Sequence, residues 1–132
     1  MNGLSTSHTP YSVHVDLSKH RITVFRLGRA LFSFPAATGA PASRTPPGRF
    51  FVTDRVSVHA GSAFGSFAFG ISGIQTHLPP GWGGGNQLAI HGTNSPSTIG
   101  RSVSAGCIRV SEGTLAQLKP LLQPGTPVVI EP

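Results

Sequence analysis

The sequence predicts a mostly β domain with one or two short helices. Apolar and polar residues alternate over short segments, which is the pattern of half-buried strands. Glycine and proline, with 17 and 12 residues in 132, interrupt these segments at short intervals and indicate tight turns. Charged residues make up only 11% of the chain, against a usual share of about 25%. The length predicts a single domain, which we place at residues 11–132 behind a flexible leader at residues 1–10.

The sequence of the first half of the domain predicts an antiparallel meander. Val13, Val15 and Leu17 alternate with polar residues in the first strand. The strands of the meander are predicted at residues 12–17, 22–27 and 30–37, with turns between them. The tripeptide Pro-Pro-Gly at residues 46–48 predicts a tight turn, from which the next strand leads on.

The second half predicts further short strands and one helix. Apolar residues that can cover the core here are Phe64, Phe67, Phe69, Ile71 and Ile74, in strands near residues 67–72 and 73–77. Other strands are predicted at residues 87–91, 107–110 and 127–130, and a helical turn at residues 95–99. Ser111 predicts the N-cap of a short helix. The leucines that this helix and its end direct inward are Leu115, Leu118, Leu121 and Leu122.

A long loop interrupts this half at residues 77–86. Its sequence, HLPPGWGGGN, cannot form regular structure, and long loops in compact domains tend to be functional. Trp82 lies at the centre of the loop, and the loop ends five residues before His91. Two hypotheses stay open: Trp82 fills a gap in the core, or it forms a lid over a cleft beside His91.

The charge distribution limits the classes of partner. The formal net charge is +6, but the eight arginines and two lysines are scattered, with no basic run and no basic amphipathic helix. Nucleic-acid binding is therefore disfavoured, whereas an anionic polymer or an acidic substrate fits the charge. No apolar run approaches the ~18–20 residues of a membrane span, and the N-terminus lacks the pattern of a signal peptide. The protein is then cytosolic, or its export signal is absent from this chain.

Metal and disulfide chemistry are not expected. Cys107 is the single cysteine, so neither an internal disulfide nor a zinc site with several thiolates can form. The histidines other than His91 share no close ligand spacing; they are His8, His14, His20, His59 and His77. We therefore predict no metal and no cofactor.

The segment at residues 89–110, AIHGTNSPSTIGRSVSAGCIRV, carries the candidate chemistry. A thiol nucleophile needs a base or a cation nearby, because the thiolate is the reactive species. His91 leaves its predicted strand on the face opposite the apolar residues, sixteen residues before Cys107, and Gly92 leaves room for a close approach. Gly106 allows neighbouring N–H groups to point at a substrate carbonyl, as an oxyanion hole requires.

Arg109 is the candidate cation of this site. If the chain after Cys107 is extended, the two side chains share a face and lie roughly 7 Å apart. Arg109 can then favour the thiolate and hold a substrate carboxylate. Taken singly, Cys107 and His91 are more simply explained as buried structural residues. The combination of two glycine-flanked residues on the polar faces of apolar strands favours catalysis.

The stretch from His91 to Arg109 also resembles a known motif. It follows H-G-T-N-x-P-x-x-I-G-x-x-V-S-x-G-C-I-R and is similar to the catalytic motif of the L,D-transpeptidases, the YkuD-type domain that remodels peptidoglycan. TGAPASRTPPGRF at residues 38–50 is similar to the TG…TPxGxF element of that family, and residues 15–28 are similar to its opening hairpin. The resemblance covers about residues 11–131, with Ala105 as a departure where many members carry His or Lys.

The resemblance implies a β-sandwich of mixed strands with a small helix. It implies that Cys107 is the nucleophile and His91 the base, and that the Gly92 backbone carbonyl orients the histidine ring. The residues that it places in the oxyanion, substrate-binding or orienting region are Gly92, Thr93, Ser104, Gly106 and Arg109.

The reaction that the resemblance implies is L,D-transpeptidation on peptidoglycan stem peptides. Cys107 would attack the bond between the third residue and the terminal D-Ala of a stem tetrapeptide and form a thioester, which an amine of a second stem would resolve to a 3→3 cross-link. We further expect a monomer of the periplasm or cell wall, active in wall biogenesis and cell shape and inhibited by carbapenems. Two alternatives stay open, a cysteine L,D-carboxypeptidase that trims wall peptides and a non-catalytic wall-binding module.

Overall fold

A computed structural model describes residues 9–76 and 86–132 and shows a mostly β fold, as the sequence predicts. The strands of the described residues are β1 (Tyr11–Asp16), β2 (Arg21–Arg26), β3 (Arg29–Pro35), β4 (Thr38–Gly39), β5 (Gly48–Ser62), β6 (Gly65–Ile74), β7 (Gln87–His91), β8 (Ser102–Ser104), β9 (Ile108–Arg109) and β10 (Pro127–Glu131). They are joined by helix α1 (Glu112–Leu118) and by 3-10 turns at Pro41–Ser43 and Pro96–Thr98. The predicted loop around Trp82 and most of the predicted leader lie outside the described residues.

Eight of the strands form one continuous mixed sheet in the order β9-β7-β6-β5-β10-β1-β2-β3. The β9–β7 and β10–β1 pairs are parallel, and the other neighbours are antiparallel. The long strand β5 pairs with β10 through residues 48–51 and with β6 through residues 52–62, so the sheet curls along this strand. Strands β4 and β8 form a separate parallel pair that lies next to the site described below.

A single apolar core lies inside the curled sheet. The first half of the sheet contributes Val13, Val15, Ile22 and Val24, and the second half contributes Phe69, Ile71, Leu88, Ile90 and Ile108. Helix α1 closes the core with Leu115, Leu118 and Leu122, whereas Leu121 is only partly buried. The Ser111 hydroxyl accepts a hydrogen bond from the Thr114 N–H at 3.1 Å, which confirms the predicted N-cap.

Three local predictions are wrong. Strand β6 is one element, where the sequence predicts two near residues 67–72 and 73–77. The reason is that Gly70 and Gly73 do not break the strand: they make room for side chains packed across the sheet, those of Asp54 at Gly70 and of Phe50 and Leu88 at Gly73.

The second wrong prediction concerns the core. Phe67, Phe69 and Ile71 are buried as predicted, but Phe64 and Ile74 are 53% and 56% exposed. Phe64 lies in the short turn between β5 and β6, and Ile74 is the last residue of β6, so neither position faces the inside of the sheet.

The third concerns Pro-Pro-Gly at residues 46–48, which forms no tight turn. Pro46 and Pro47 lie in an irregular segment after Arg44, whose ψ of 139° is extended, and Gly48 already begins β5. The fixed φ of proline suits an extended chain as well as a turn, and the local sequence does not distinguish the two.

Within the described residues, no helix has the length and apolar character needed to cross a membrane.

Candidate active site

Two parallel strands bring the candidate nucleophile and base together. His91 is the last residue of β7, and Cys107 directly precedes β9. In the β7–β9 pair, Ile108 lies opposite Ile90 and Arg109 lies opposite His91. Because strand neighbours are about 4.8 Å apart, this register brings residues sixteen positions apart in sequence to one place on the sheet.

His91 and Cys107 line two pockets. A pocket of about 210 Å³ also contains Gln75, Ser104 and Arg109. A second pocket of about 400 Å³ contains the same histidine and cysteine but extends along β5 and β6; its other lining residues include Asp54, Val56, Val58 and Ala68. Cys107 and His91 are therefore shared by two adjoining cavities.

The geometry of His91 defines its tautomer. Its Nδ1 lies 2.5 Å from the Gly92 carbonyl oxygen. A carbonyl only accepts hydrogen bonds, so Nδ1 carries the hydrogen and Nε2 keeps a free lone pair. Burial lowers the pKa of His91 below its ordinary value of 6.5, and the charge of Arg109 acts in the same direction, against the raising effect of the Gly92 carbonyl. The ring is thus a neutral imidazole whose Nε2 is able to accept a proton.

Burial dominates the electrostatics of Cys107 as well. It raises the pKa of the thiol above the ordinary value of 9.0, although a backbone hydrogen bond from Ala89 and the charge of Arg109 both lower it. Arg109 therefore acts on the thiol in the expected direction, but desolvation outweighs it. The resting pair is a neutral thiol and a neutral imidazole rather than a thiolate–imidazolium pair, so the thiol loses its proton during attack.

Two residues that the sequence analysis did not place in the site lie next to it, Phe64 against His91 and Glu112 against Gly92. The ring of Phe64 contacts His91 edge-on, with centroids 5.0 Å apart and an interplanar angle of 77°. Glu112 accepts hydrogen bonds from the Ser66 hydroxyl at 2.5 Å and the Ser66 N–H at 3.3 Å, and so connects α1 to the β5–β6 turn that carries Phe64. The apolar run around Phe64 suggested a core residue, and its position next to Gly65 at a hairpin turn was the one signal against that interpretation.

Gly92 is required by packing at this point. A Cβ at Gly92 would collide with the Glu112 carboxylate, and one at Gly65 would collide with both that carboxylate and the Gly92 backbone. The close approach that the sequence predicts at Gly92 is thus made by a neighbouring backbone and a carboxylate.

Arg109 shares the smaller pocket with Cys107. Its backbone pairs with Ala37 in both directions, at 2.8 Å and 2.9 Å, which holds the start of the side chain. Its Nε is buried and has no hydrogen-bond partner among the described residues. A buried donor without a partner is costly, so this atom is suited to a ligand oxygen.

The remaining predicted residues lie in two turns. Thr93 accepts a hydrogen bond from the Ser95 N–H at 2.9 Å and closes the turn after His91. The Ser104 hydroxyl donates to the Cys107 carbonyl at 2.6 Å and accepts from the Gly106 N–H at 3.0 Å. The Gly106 N–H is therefore used within the turn.

The Cys107 N–H, by contrast, has no partner among residues 9–76 and 86–132. Of the two amides at the predicted oxyanion position, it is the one that remains available. In the same part of the chain, no group of three histidine, cysteine or acidic side chains is placed to hold a metal ion.

The fold and the site define a class of protein, a mostly β domain in which a half-buried cysteine and a buried histidine line one cleft. Residues 10–130 match the YkuD family, the L,D-transpeptidase catalytic domain. A Bacillus licheniformis protein with the provisional name L,D-transpeptidase YkuD is 31% identical over 123 residues, which cover 93% of this chain and 67% of that protein. The chain therefore belongs to the YkuD family of L,D-transpeptidase catalytic domains.

Solved structures of L,D-transpeptidases share the fold. L,D-transpeptidase 3 from Mycobacterium tuberculosis has a TM-score of 0.72 at 20% identity, over 93% of this chain and 61% of that chain. LdtMt1 in complex with imipenem has a TM-score of 0.68 at 24% identity, over 92% of this chain and 59% of that chain. This chain thus spans about three fifths of the length of those solved chains.

Proposed function

We propose that this domain is a peptidoglycan L,D-transpeptidase that works through a thioester on Cys107. The observation that carries the proposal is the pair of buried His91 and half-buried Cys107 in one pocket, in which the Gly92 carbonyl holds the His91 Nδ1–H and leaves Nε2 free. Family membership supplies the substrate class, since L,D-transpeptidases act on stem peptides of the wall.

The first half-reaction acylates the thiol. Cys107 Sγ attacks the carbonyl carbon between the third residue and the terminal D-Ala, and the thiol proton passes to His91 Nε2. The Cys107 N–H faces the developing oxyanion, and the Arg109 guanidinium binds a carboxylate of the stem. Collapse of the tetrahedral intermediate breaks the C–N bond, and His91 returns the proton to the amine of the departing D-Ala.

The second half-reaction transfers the acyl group to an amine. His91 Nε2 takes a proton from the attacking amine, the new C–N bond forms, and the C–S bond breaks to give a thiolate that regains the proton from His91. The larger pocket along β5 and β6 supports transfer over hydrolysis, because an amine acceptor needs its own cavity beside the thioester and water does not. A 3→3 cross-link is the product when the amine belongs to a second stem.

We further propose that the domain acts outside the cytoplasm as a monomer. Its substrate lies in the wall, and its charge of +6 suits an anionic polymer.

Mass spectrometry of the products tests the proposal. Incubation with a disaccharide-tetrapeptide should yield a cross-linked dimer with release of one D-Ala, and C107A should yield none. Tripeptide without dimer would identify an L,D-carboxypeptidase. Binding to wall sacculi with neither product would identify a wall-binding module.

A further inference from the structure

Four consecutive backbone carbonyls around Cys107 each accept a side-chain hydrogen bond. The Ser104 carbonyl accepts from Ser43 Oγ at 2.9 Å, and the Ala105 carbonyl accepts from Gln75 Nε2 at 3.0 Å. The Gly106 carbonyl accepts from Thr45 Oγ1 at 2.7 Å. The last of the four, the Cys107 carbonyl, accepts from Ser104 Oγ. Every peptide plane of this turn is therefore held by a side chain.

Three of the four donors come from outside the turn and are deeply buried. Ser43 and Thr45 belong to the segment at residues 38–50 that resembles the TG…TPxGxF element, and Gln75 follows β6. Their exposed fractions are 4%, 2% and 3%. Buried polar side chains are retained at a cost unless they are hydrogen-bonded, so their convergence on one turn indicates a specific arrangement.

Gln75 connects this segment to the turn. Its Nε2 lies 2.9 Å and 3.0 Å from the carbonyl oxygens of Ser43 and Arg44, in addition to that of Ala105. Thr45 Oγ1 also accepts from the Gly39 N–H at 2.9 Å. The segment at residues 38–45 and the turn before Cys107 are thus one hydrogen-bonded unit.

The held carbonyls determine where the Cys107 N–H points. In a trans peptide the N–H is directed opposite to the preceding C=O. Because Thr45 binds the Gly106 carbonyl, the Cys107 N–H is turned away from Thr45, and it has no partner among the described residues. Rotation of that peptide plane would redirect the donor that the oxyanion needs.

We infer that Thr45 and Gln75, with Ser43, are positioning residues for acyl transfer, which hold the peptide plane that presents the Cys107 N–H to the oxyanion. This inference rests on the proposed function. It assigns the TG…TP segment a role beneath the nucleophile turn, with no contact to substrate. A misdirected oxyanion donor reduces acylation, but it does not affect reactions of the thiol that form no oxyanion.

Two reactions of Cys107 distinguish a misdirected oxyanion donor from a general structural defect. Acylation by imipenem or by the disaccharide-tetrapeptide passes through an oxyanion, whereas alkylation by iodoacetamide is a displacement at carbon that requires only an accessible thiolate. Both rates are followed by intact-mass measurement. Cys107 is the one thiol in the sequence, so each modification gives a single adduct.

The variants are T45V, T45S and Q75M, with T126V as the control. T45V and Q75M remove the donor at nearly constant volume, and T45S keeps the hydroxyl. Thr126 is also fully buried and accepts a hydrogen bond from the Gln123 N–H at 2.9 Å, but it lies outside both pockets. T126V therefore measures the effect of losing a buried threonine hydroxyl elsewhere in the fold.

We expect T45V and Q75M to slow acylation by about 10- to 100-fold, somewhat less than complete loss of an oxyanion donor. Alkylation should stay within about twofold of the wild-type rate, because it uses no oxyanion hole. T45S should recover most of the acylation rate, and T126V should lower the melting temperature without changing the ratio of the two rates.

Equal slowing of acylation and alkylation in T45V and Q75M would overturn the inference, because it would show a general structural defect. Wild-type acylation rates in both variants would overturn it as well. A wild-type protein that is alkylated but never acylated would instead refute the proposed function, and the inference with it.

Discussion

Substitution of Gly106 by alanine should damage both stability and acylation, and Gly100 provides a matched control. Gly106 has a φ of +129°, and a Cβ there would collide with Gln75 Nε2 and approach Gln75 Cδ to 3.1 Å. Gly100 has a φ of +90°, but a Cβ there would meet nothing within 4 Å. G100A therefore measures backbone strain alone, and G106A measures strain together with displacement of Gln75.

The expected magnitudes follow from these contacts. A residue held in a disfavoured φ region costs about 1–3 kcal/mol, which applies to both variants. In G106A, Gln75 Nε2 must also leave its three carbonyl partners, to which its two hydrogens make about two full hydrogen bonds, each worth about 1 kcal/mol net. The free energy of unfolding should fall by about 1–3 kcal/mol in G100A and by about 3–5 kcal/mol in G106A. A domain with about 5–15 kcal/mol of stability tolerates G100A and retains a folded state in G106A unless it lies at the low end.

Urea unfolding at 25 °C, followed by the ratio of acylation to alkylation, is the measurement. The free energy of unfolding should fall further in G106A than in G100A by roughly 2 kcal/mol, the value of about two hydrogen bonds. Only G106A should slow acylation more than alkylation. Equal losses of stability in the two variants would refute the reasoning, because they would show that Gln75 does not occupy the space next to Gly106.

Further predictions concern the dyad and its surroundings. C107A should abolish cross-linking with a retained melting temperature, and H91A should reduce cross-linking by at least about 100-fold. Cross-linking by C107A would refute the assignment. Acylation should decline only below pH 6.5, as His91 with its lowered pKa becomes protonated, and ultraviolet absorbance should show a protonated Cys107 thiol at neutral pH. Thiolate absorbance at neutral pH would indicate an ion pair instead. The free energy of unfolding should also fall below pH 6.5, because the unfolded chain binds a proton at His91 more readily than the folded chain does. It should fall above pH 9.0 as well, because the unfolded chain loses the Cys107 proton more readily than the folded chain does. R109K should lower kcat/KM clearly and R109A further, because the planar fork and then the charge are lost, and full activity of both variants would make Arg109 a structural residue. W82A should shift products toward hydrolysis with little change in melting temperature if Trp82 is a lid, whereas a large loss of stability at an unchanged product ratio would make it a core residue.

The fold class could be predicted from the sequence, and His91 and Cys107 could be singled out as candidate site residues, because these signals are local. Alternation of Val13 and Val15 with polar residues predicts a strand irrespective of its partner, and Ser111 caps α1 with its own side chain. His91 and Cys107 stood out because glycines flank both of them. Their motif also resembles that of the YkuD family, to which the chain belongs.

The continuity of β6 and the position of Phe64 depend on contacts between distant segments, so only the tertiary structure decided them. The sequence predicted two strands near residues 67–72 and 73–77, but β6 is continuous, and side chains packed across the sheet occupy the space that Gly70 and Gly73 leave. Phe64 suggested a core residue, but the β5–β6 turn and the Glu112–Ser66 hydrogen bonds place it against His91. In each case the determining partner lies on another element, so no local pattern indicates it.

The protonation state of His91 and Cys107 and the hydrogen bonds that hold the turn before Cys107 also depend on contacts between distant segments. The sequence by itself singled out a thiol, an imidazole and an arginine as one candidate site, because they belong to one motif that resembles that of the YkuD family. The register of β7 and β9, which brings them together, is a property of the tertiary structure. The sequence did not determine that burial outweighs the charge of Arg109 at Cys107, since desolvation depends on everything packed around a group. Nor did it determine that Thr45 and Gln75 hold the carbonyls of residues 105 and 106, because a buried hydrogen bond forms only where folding has already brought donor and acceptor together.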